Sequence, residues 1–158
     1  MKEQPSATRR QMLAAAGGLG LVLIVRPAQA QLQANPAALN AAIRQVTGGA
    51  RLNKGRVHLD VPPLSENGNT VALGVSVDSP MTPEDHVKAI HVFSEKNPQP
   101  NIVSVRLGPR AGKAGITTRM RLADTQTITA VAELSDGSFW TETGHVIITL
   151  GACLEDVI

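Results

Sequence analysis

Few side chains in this 158-residue sequence combine reactivity with a suggestive position, and Cys153 is first among them. It is the only cysteine, so it cannot close an internal loop with a second one. It can stay free, pair with another molecule, or carry a covalently attached group. The thiolate is the nucleophile in such chemistry, and we expect the last of these roles. The four histidines, His58, His86, His91 and His145, are scattered singly. Only His91, His145 and Cys153 suggest a copper or zinc set, and nothing in their spacing demands one, so no metal site is expected. There is no phosphate-cradling glycine loop, no His-Glu-x-x-His and no nucleophile elbow, which argues against an enzyme. Glu84, Asp85 and Glu95 read most simply as solvated charges near turns or strand ends.

The chain opens with Thr8-Arg9-Arg10-Gln11-Met12-Leu13, followed by a glycine-interrupted apolar stretch to Val25 and a small-x-small site at Ala28-Gln29-Ala30. This pattern reads as a twin-arginine export signal over residues 1–30. The apolar stretch falls short of the about 20 residues a spanning helix needs, so no stable membrane anchor is expected. The expected destination is the periplasm, where an unpaired cysteine is unusual among secreted chains. Removing residues 1–30 takes away Lys2, Arg9, Arg10, Arg26 and Glu3, which changes the formal charge from +2 to −1. With no basic surplus and only Phe93, Phe139 and Trp140 as aromatics, nucleic-acid binding is not expected.

The elements that must position Cys153 follow from hydrophobic spacing. Asn35-Pro36 has the form of a helix start, Leu39, Ala42, Ile43 and Val46 recur at helical spacing, and Gly48-Gly49 stops the run. From Arg56 onward the period becomes two. Val57 to Val61, Val71 to Val77, and Val87, Ala89, His91 and Phe93 on one face of a third run read as strands. Ile102 to Leu107, Ile116 to Leu122, Gln126 to Leu134 and Phe139 to Leu150 complete the set. Asn97-Pro98-Gln99-Pro100, Gly108-Pro109-Arg110-Ala111-Gly112 and Ser135-Asp136-Gly137 are the turns between them. The pattern predicts an all-β domain over 31–150, an immunoglobulin-like antiparallel β-sandwich with a short N-terminal helix and a C-terminal tail. Periodicity alone leaves a barrel open. Trp140, the largest apolar side chain, is either a core plug under the last hairpin or an anchor for a partner.

Several longer stretches carry a resemblance. They are Val46-Thr47-Gly48-Gly49, Leu64-Ser65-Glu66-Asn67-Gly68-Asn69-Thr70-Val71 and Val75-Ser76-Val77-Asp78-Ser79-Pro80-Met81-Thr82. Ile90-His91-Val92-Phe93-Ser94-Glu95-Lys96-Asn97-Pro98, Ser135-Asp136-Gly137-Ser138-Phe139-Trp140 and Val146-Ile147-Ile148-Thr149-Leu150-Gly151 continue it. With the export signal, these resemble the SoxY family, sulfur-carrier proteins of the bacterial thiosulfate-oxidising Sox system. The resemblance implies an immunoglobulin-like fold, a heterodimer with a SoxZ-like subunit, and a periplasmic carrier with no permanent cofactor. It implies that Cys153 holds a covalent thiosulfate or sulfane adduct. The partners it implies are a c-type cytochrome that couples thiosulfate to the cysteine, a di-manganese hydrolase that releases sulfate, and a sulfane dehydrogenase. The alternative is a diverged immunoglobulin-like binding or assembly protein that no longer carries sulfur.

The family's arm is Gly-Gly-Cys-Gly-Gly, whereas residues 151–158 here read Gly151-Ala152-Cys153-Leu154-Glu155-Asp156-Val157-Ile158. Ala152 and Leu154 add bulk and lose the torsional freedom of glycine. Counted from Leu150, three residues give the sulfur a reach of about 10 Å beyond the sheet.

Overall fold

The computed structural model describes residues 34–151. Helix α1 (Pro36–Thr47) starts where the sequence indicates, with the Asn35 side chain accepting a hydrogen bond from the Ala38 N–H and Pro36 at the first helical position. It ends at Gly48, whose left-handed backbone (φ 62°) lets its N–H close on the Arg44 carbonyl.

Nine strands follow: β1 (Leu52–Asn53), β2 (Val57–Asp60), β3 (Leu64–Ser65), β4 (Val71–Val77), β5 (Val87–Ser94), β6 (Asn101–Arg106), β7 (Gly115–Met120), β8 (Gln126–Leu134) and β9 (Phe139–Ile148). A single turn of 3-10 helix (Pro109–Ala111) lies between β6 and β7. Strands β2-β4-β7 form one sheet and β1-β9-β8-β5-β6 the other, with β3 added alongside β9. The predicted sandwich is therefore the observed architecture.

In β4 every second residue, from Val71 to Val77, is buried and the intervening ones are not. These side chains meet Ile90, Val92, Ile128, Ala130, Ala132, Leu134 and Val146 from the larger sheet. Each fully buried Val, Leu or Ile contributes about 1.5–3 kcal/mol relative to exposure. The larger sheet is buried on its other face too. There Phe93, Val131 and Phe139 form a second apolar cluster, closed by Leu39, Ala42, Ile43 and Val46 of α1 and by Leu52. Three layers result, with helix, larger sheet and smaller sheet stacked in that order.

Four sequence expectations change. Val87, Ala89, His91 and Phe93 do not share one face, because a register shift between Val87 and Ala89 in the β5–β8 ladder turns the strand over. Val87 joins the core between the sheets, while Phe93 lies under α1. The sheet is also not wholly antiparallel, since β1 and β3 both pair with β9 in parallel. Trp140 is only half-buried at the edge of the main core. Its indole N–H donates to Ser138 Oγ (3.0 Å) and the Arg56 guanidinium lies over its ring at 5.5 Å, so it is not a plug filling the core. Finally, Glu95 and Asp85 are more than solvated charges: Glu95 accepts the Thr127 N–H (3.2 Å) and Asp85 pairs with Arg56 (3.4 Å).

Candidate functional site

Whatever chemistry belongs to Cys153 begins where the chain leaves β9. That strand is held on both sides, by β8 along its length and by β1 and β3 at its two ends. Its last residues are tied from two directions. From the β3 side, the Ile147 N–H donates to the Pro63 carbonyl (3.0 Å) and the Thr149 N–H to the Ser65 carbonyl (3.2 Å). The Thr149 hydroxyl adds a bond to the Glu66 carbonyl (3.0 Å). From the β7–β8 loop, Thr125 Oγ1 both accepts from the Ile148 N–H (2.9 Å) and donates to the Ile148 carbonyl (3.3 Å).

The next two residues are held by loops. Gly68 is buried and uses both backbone groups, its N–H donating to the Leu150 carbonyl (2.7 Å) and its carbonyl accepting from the Leu122 N–H (2.8 Å). Gly151 packs against the backbone of Ala123. A Cβ built at Gly151 would overlap the Ala123 carbonyl oxygen and stand 3.2 Å from the carbonyl carbon. The glycine is required for space, and its obstacle is backbone rather than a side chain that can swing away.

That Ala123 loop is fixed in turn by a polar network. Gln126 is 1 % exposed and satisfies both ends of its amide, Oε1 accepting from the Lys96 N–H (2.7 Å) and Nε2 donating to Asn97 Oδ1 (3.0 Å). Asn97 Oδ1 also accepts from the Ala123 N–H (3.0 Å), and its Nδ2 donates to the Arg121 carbonyl (2.8 Å). Lys96 Nζ reaches Asp124 Oδ2 at 2.9 Å, and that hydrogen bond is the main reason the Asp124 carboxyl titrates below its ordinary range. Around the exit, Leu64, Ile147 and Leu150 are the large apolar side chains most exposed to solvent, with Leu64 and Ile147 direct partners across the parallel pair.

Of the residues singled out from sequence, Gly151 is the one the structure places here. Ala152, Cys153, Leu154, Arg9, Arg10, Ala28 and Ala30 lie outside the described residues. His91 and His145 are not brought together: His91 sits opposite Val131 and His145 opposite Thr127, on the two sides of β8. No cluster of three or more His, Cys, Asp or Glu side chains able to hold a metal occurs among the described residues. His91 instead shares a hydrogen bond with Ser104 Oγ (2.8 Å) and stacks on Phe93. Burial pushes its pKa below the ordinary value; Glu133 opposes this and Arg106 reinforces it. It lines a surface hollow of about 570 Å³ beside α1 with Arg106, Lys88 and Glu133, the last two ion-paired. Among the described residues no helix is long and apolar enough to cross a membrane.

Sequence reasoning did not single out Gly68, Asn97 or Gln126 as functional. Asn67-Gly68 and Asn97-Pro98 carry only the signature of turns, and Gln126 only the place of a strand's first residue. No periodicity marks three distant loops as neighbours.

Comparison with known proteins matches residues 43–153 to the family described as sulfur oxidation protein SoxY. No curated protein sequence matches the chain. Among solved structures, the sulfur carrier protein SoxY from Chlorobium limicola f thiosulfatophilum is similar, with 24% identity and a TM-score of 0.61. The match covers 73% of this chain and 100% of that one. A superoxide reductase (neelaredoxin) from Ignicoccus hospitalis shares the fold at 14% identity and a TM-score of 0.53, over 60% of this chain and 80% of that one. The likenesses to solved structures speak for the fold; the family match spans well over half of the sequence and runs through its cysteine, and on that ground the chain belongs to the SoxY family.

Proposed function

We propose that this chain is a periplasmic covalent carrier of sulfur in thiosulfate oxidation, with Cys153 as the attachment point. Membership of the SoxY family makes it a sulfur carrier of the Sox system rather than an enzyme. The observation that carries the finer reading is that the family match extends to residue 153, so the only thiol in the sequence falls inside it. Residues 1–30 are proposed to be a twin-arginine signal, and residues 151–158 the segment that presents the cysteine. A SoxZ-like subunit is the proposed stable partner. The coupling cytochrome, the sulfate-releasing hydrolase and a sulfane dehydrogenase are the proposed visiting enzymes.

The chemistry balances as follows. Cys153 thiol and thiosulfate would join through a new S–S bond to give Cys–S–S–SO₃⁻, releasing one proton and two electrons, for which the cytochrome would supply two one-electron ferric haem equivalents as oxidant. Water then cleaves the bond between the outer sulfane sulfur and the sulfonate, giving sulfate, two protons and a Cys–S–S⁻ persulfide. The carrier supplies the sulfur nucleophile and nothing else. An ordinary thiol with a pKa of about 8.5 is only a few per cent ionised at neutral pH, so activation is left to each host enzyme.

Intact-protein mass spectrometry after exposure to thiosulfate and the coupling cytochrome tests this. The expected result is a reducible increase of one S₂O₃ unit on the wild-type chain, absent from Cys153→Ser. A wild-type thiol left unmodified, under conditions that load a glycine-armed member of the family, would instead support the binding or assembly reading. The two non-glycine neighbours, Ala152 and Leu154, are the sequence feature that favours that second reading.

A further inference from the structure

Asn97-Pro98 and Asn67-Gly68 lie far apart in sequence, yet both loops converge on Leu150 and Gly151. Gly68 bonds the Leu150 carbonyl, and Asn97 bonds the Ala123 backbone that Gly151 packs against. Gln126, 1 % exposed, pairs with Val146 in the sheet through its backbone and spends both ends of its side-chain amide on Lys96 and Asn97. A buried amide with both ends satisfied rigidifies what it touches, because any displacement leaves a donor or acceptor without a partner.

We propose that Gly68, Asn97 and Gln126 form a socket that holds Leu150 and Gly151, and that they are positioning residues for Cys153; the second half of this rests on the carrier reading above. Gly151 belongs to the folded domain, and the cysteine's reach is counted from it. Two residues of chain span about 7 Å, not the about 10 Å obtained by counting from Leu150. With so short a tether, the direction in which the chain leaves the socket decides which approach to a host pocket is open. The Ala123 carbonyl is what requires a residue without a Cβ at position 151.

The test uses the full chain, whose single cysteine accepts a single nitroxide label. Gly151→Ala forces a methyl group against the Ala123 carbonyl, and Asn97→Ala removes the bonds to Ala123, Arg121 and Gln126. Both variants are expected to give narrower nitroxide lines at Cys153 than wild type, with the far-ultraviolet dichroism of the domain unchanged. Asn97→Asp keeps the acceptor for Ala123 and Gln126 but sets a carboxylate oxygen against the Arg121 carbonyl, and is expected to give a spectrum between those of Asn97→Ala and wild type. In the loading reaction, both alanine variants are expected to lose at least tenfold in kcat/KM. Their rate with a small aromatic disulfide reagent should stay within twofold of wild type. Nitroxide spectra of folded Gly151→Ala and Asn97→Ala that superimpose on wild type would overturn the socket. Altered spectra with unchanged enzymatic loading would overturn its positioning role. The nitroxide measurement needs no sulfur chemistry, so a wild-type chain that cannot be loaded sinks the carrier reading while the spectra still decide the socket.

Discussion

Replacing Gln126 with Leu separates what its amide does from what its bulk does. The two side chains are close in size, and the site is 1 % exposed, so packing is largely kept. What disappears is the acceptor for the Lys96 N–H at 2.7 Å and the donor to Asn97 Oδ1 at 3.0 Å. Asn97 Oδ1 retains the Ala123 N–H. The Lys96 N–H, only partly buried, loses its partner. Leaving one such donor unsatisfied costs about 1–3 kcal/mol. At about 4 °C of melting temperature per kcal/mol for a domain of this size, Gln126→Leu should melt roughly 4–12 °C below wild type. Urea titration should show a lower midpoint at an unchanged slope. Gln126→Glu sharpens the test. Its carboxylate keeps the acceptor but faces Asn97 Oδ1 with no donor between them, and burial raises its folded pKa above the ordinary about 4.3. The unfolded state then binds fewer protons, so this variant should be less stable than Gln126→Leu at pH 7 and gain on it as the pH falls toward 4. A Leu variant within 0.5 kcal/mol of wild type, or a Glu variant with the wild-type pH profile, would refute the claim that this amide fixes the Lys96–Asn97 loop.

Two further outcomes follow from the layers described above. Phe93→Ala empties the centre of the cluster beneath α1, where Phe93 is fully buried, and should cost about 3–5 kcal/mol. Hydrogen exchange should show amides of α1 losing protection more than those of β4, and equal loss in both would contradict a separate cluster under the helix. His91 has a folded pKa below 6.5, so between that value and 6.5 the unfolded chain binds the extra proton and stability falls with pH. Wild type should therefore lose stability below about pH 6.5 relative to His91→Gln, and parallel urea midpoints from pH 7.5 to 5 would discount burial of that ring.

Long elements with local signals were legible in the sequence. Asn35, Pro36 and Gly48 bracket α1 because capping chemistry is local, and β4 declares itself because one of its faces is covered and the other is not. The misreading of Val87 has the opposite cause. Strand β5 is covered on both faces, so an extra residue in the ladder leaves no trace in the apolar pattern. Strands β1 and β3 are two residues long, too short for any period, and are defined by β9 rather than by themselves. Cys153 stands out in the sequence as the sole thiol, but it lies outside the described residues. Gly68, Asn97 and Gln126 do not stand out, since their significance lies in which backbone groups they meet across the fold.

The parallel pairing of β3 with the end of β9 has a mechanical consequence. A tug on Gly151 runs along the axis of β9, which is bonded to β8 on one flank and to Leu64–Ser65 on the other. Those bonds lie across the line of pull and share it in shear, whereas an edge strand peeled from its end would give way one bond at a time. On the proposed carrier role, tension applied beyond Gly151 would pass into the middle of the larger sheet rather than peel its edge.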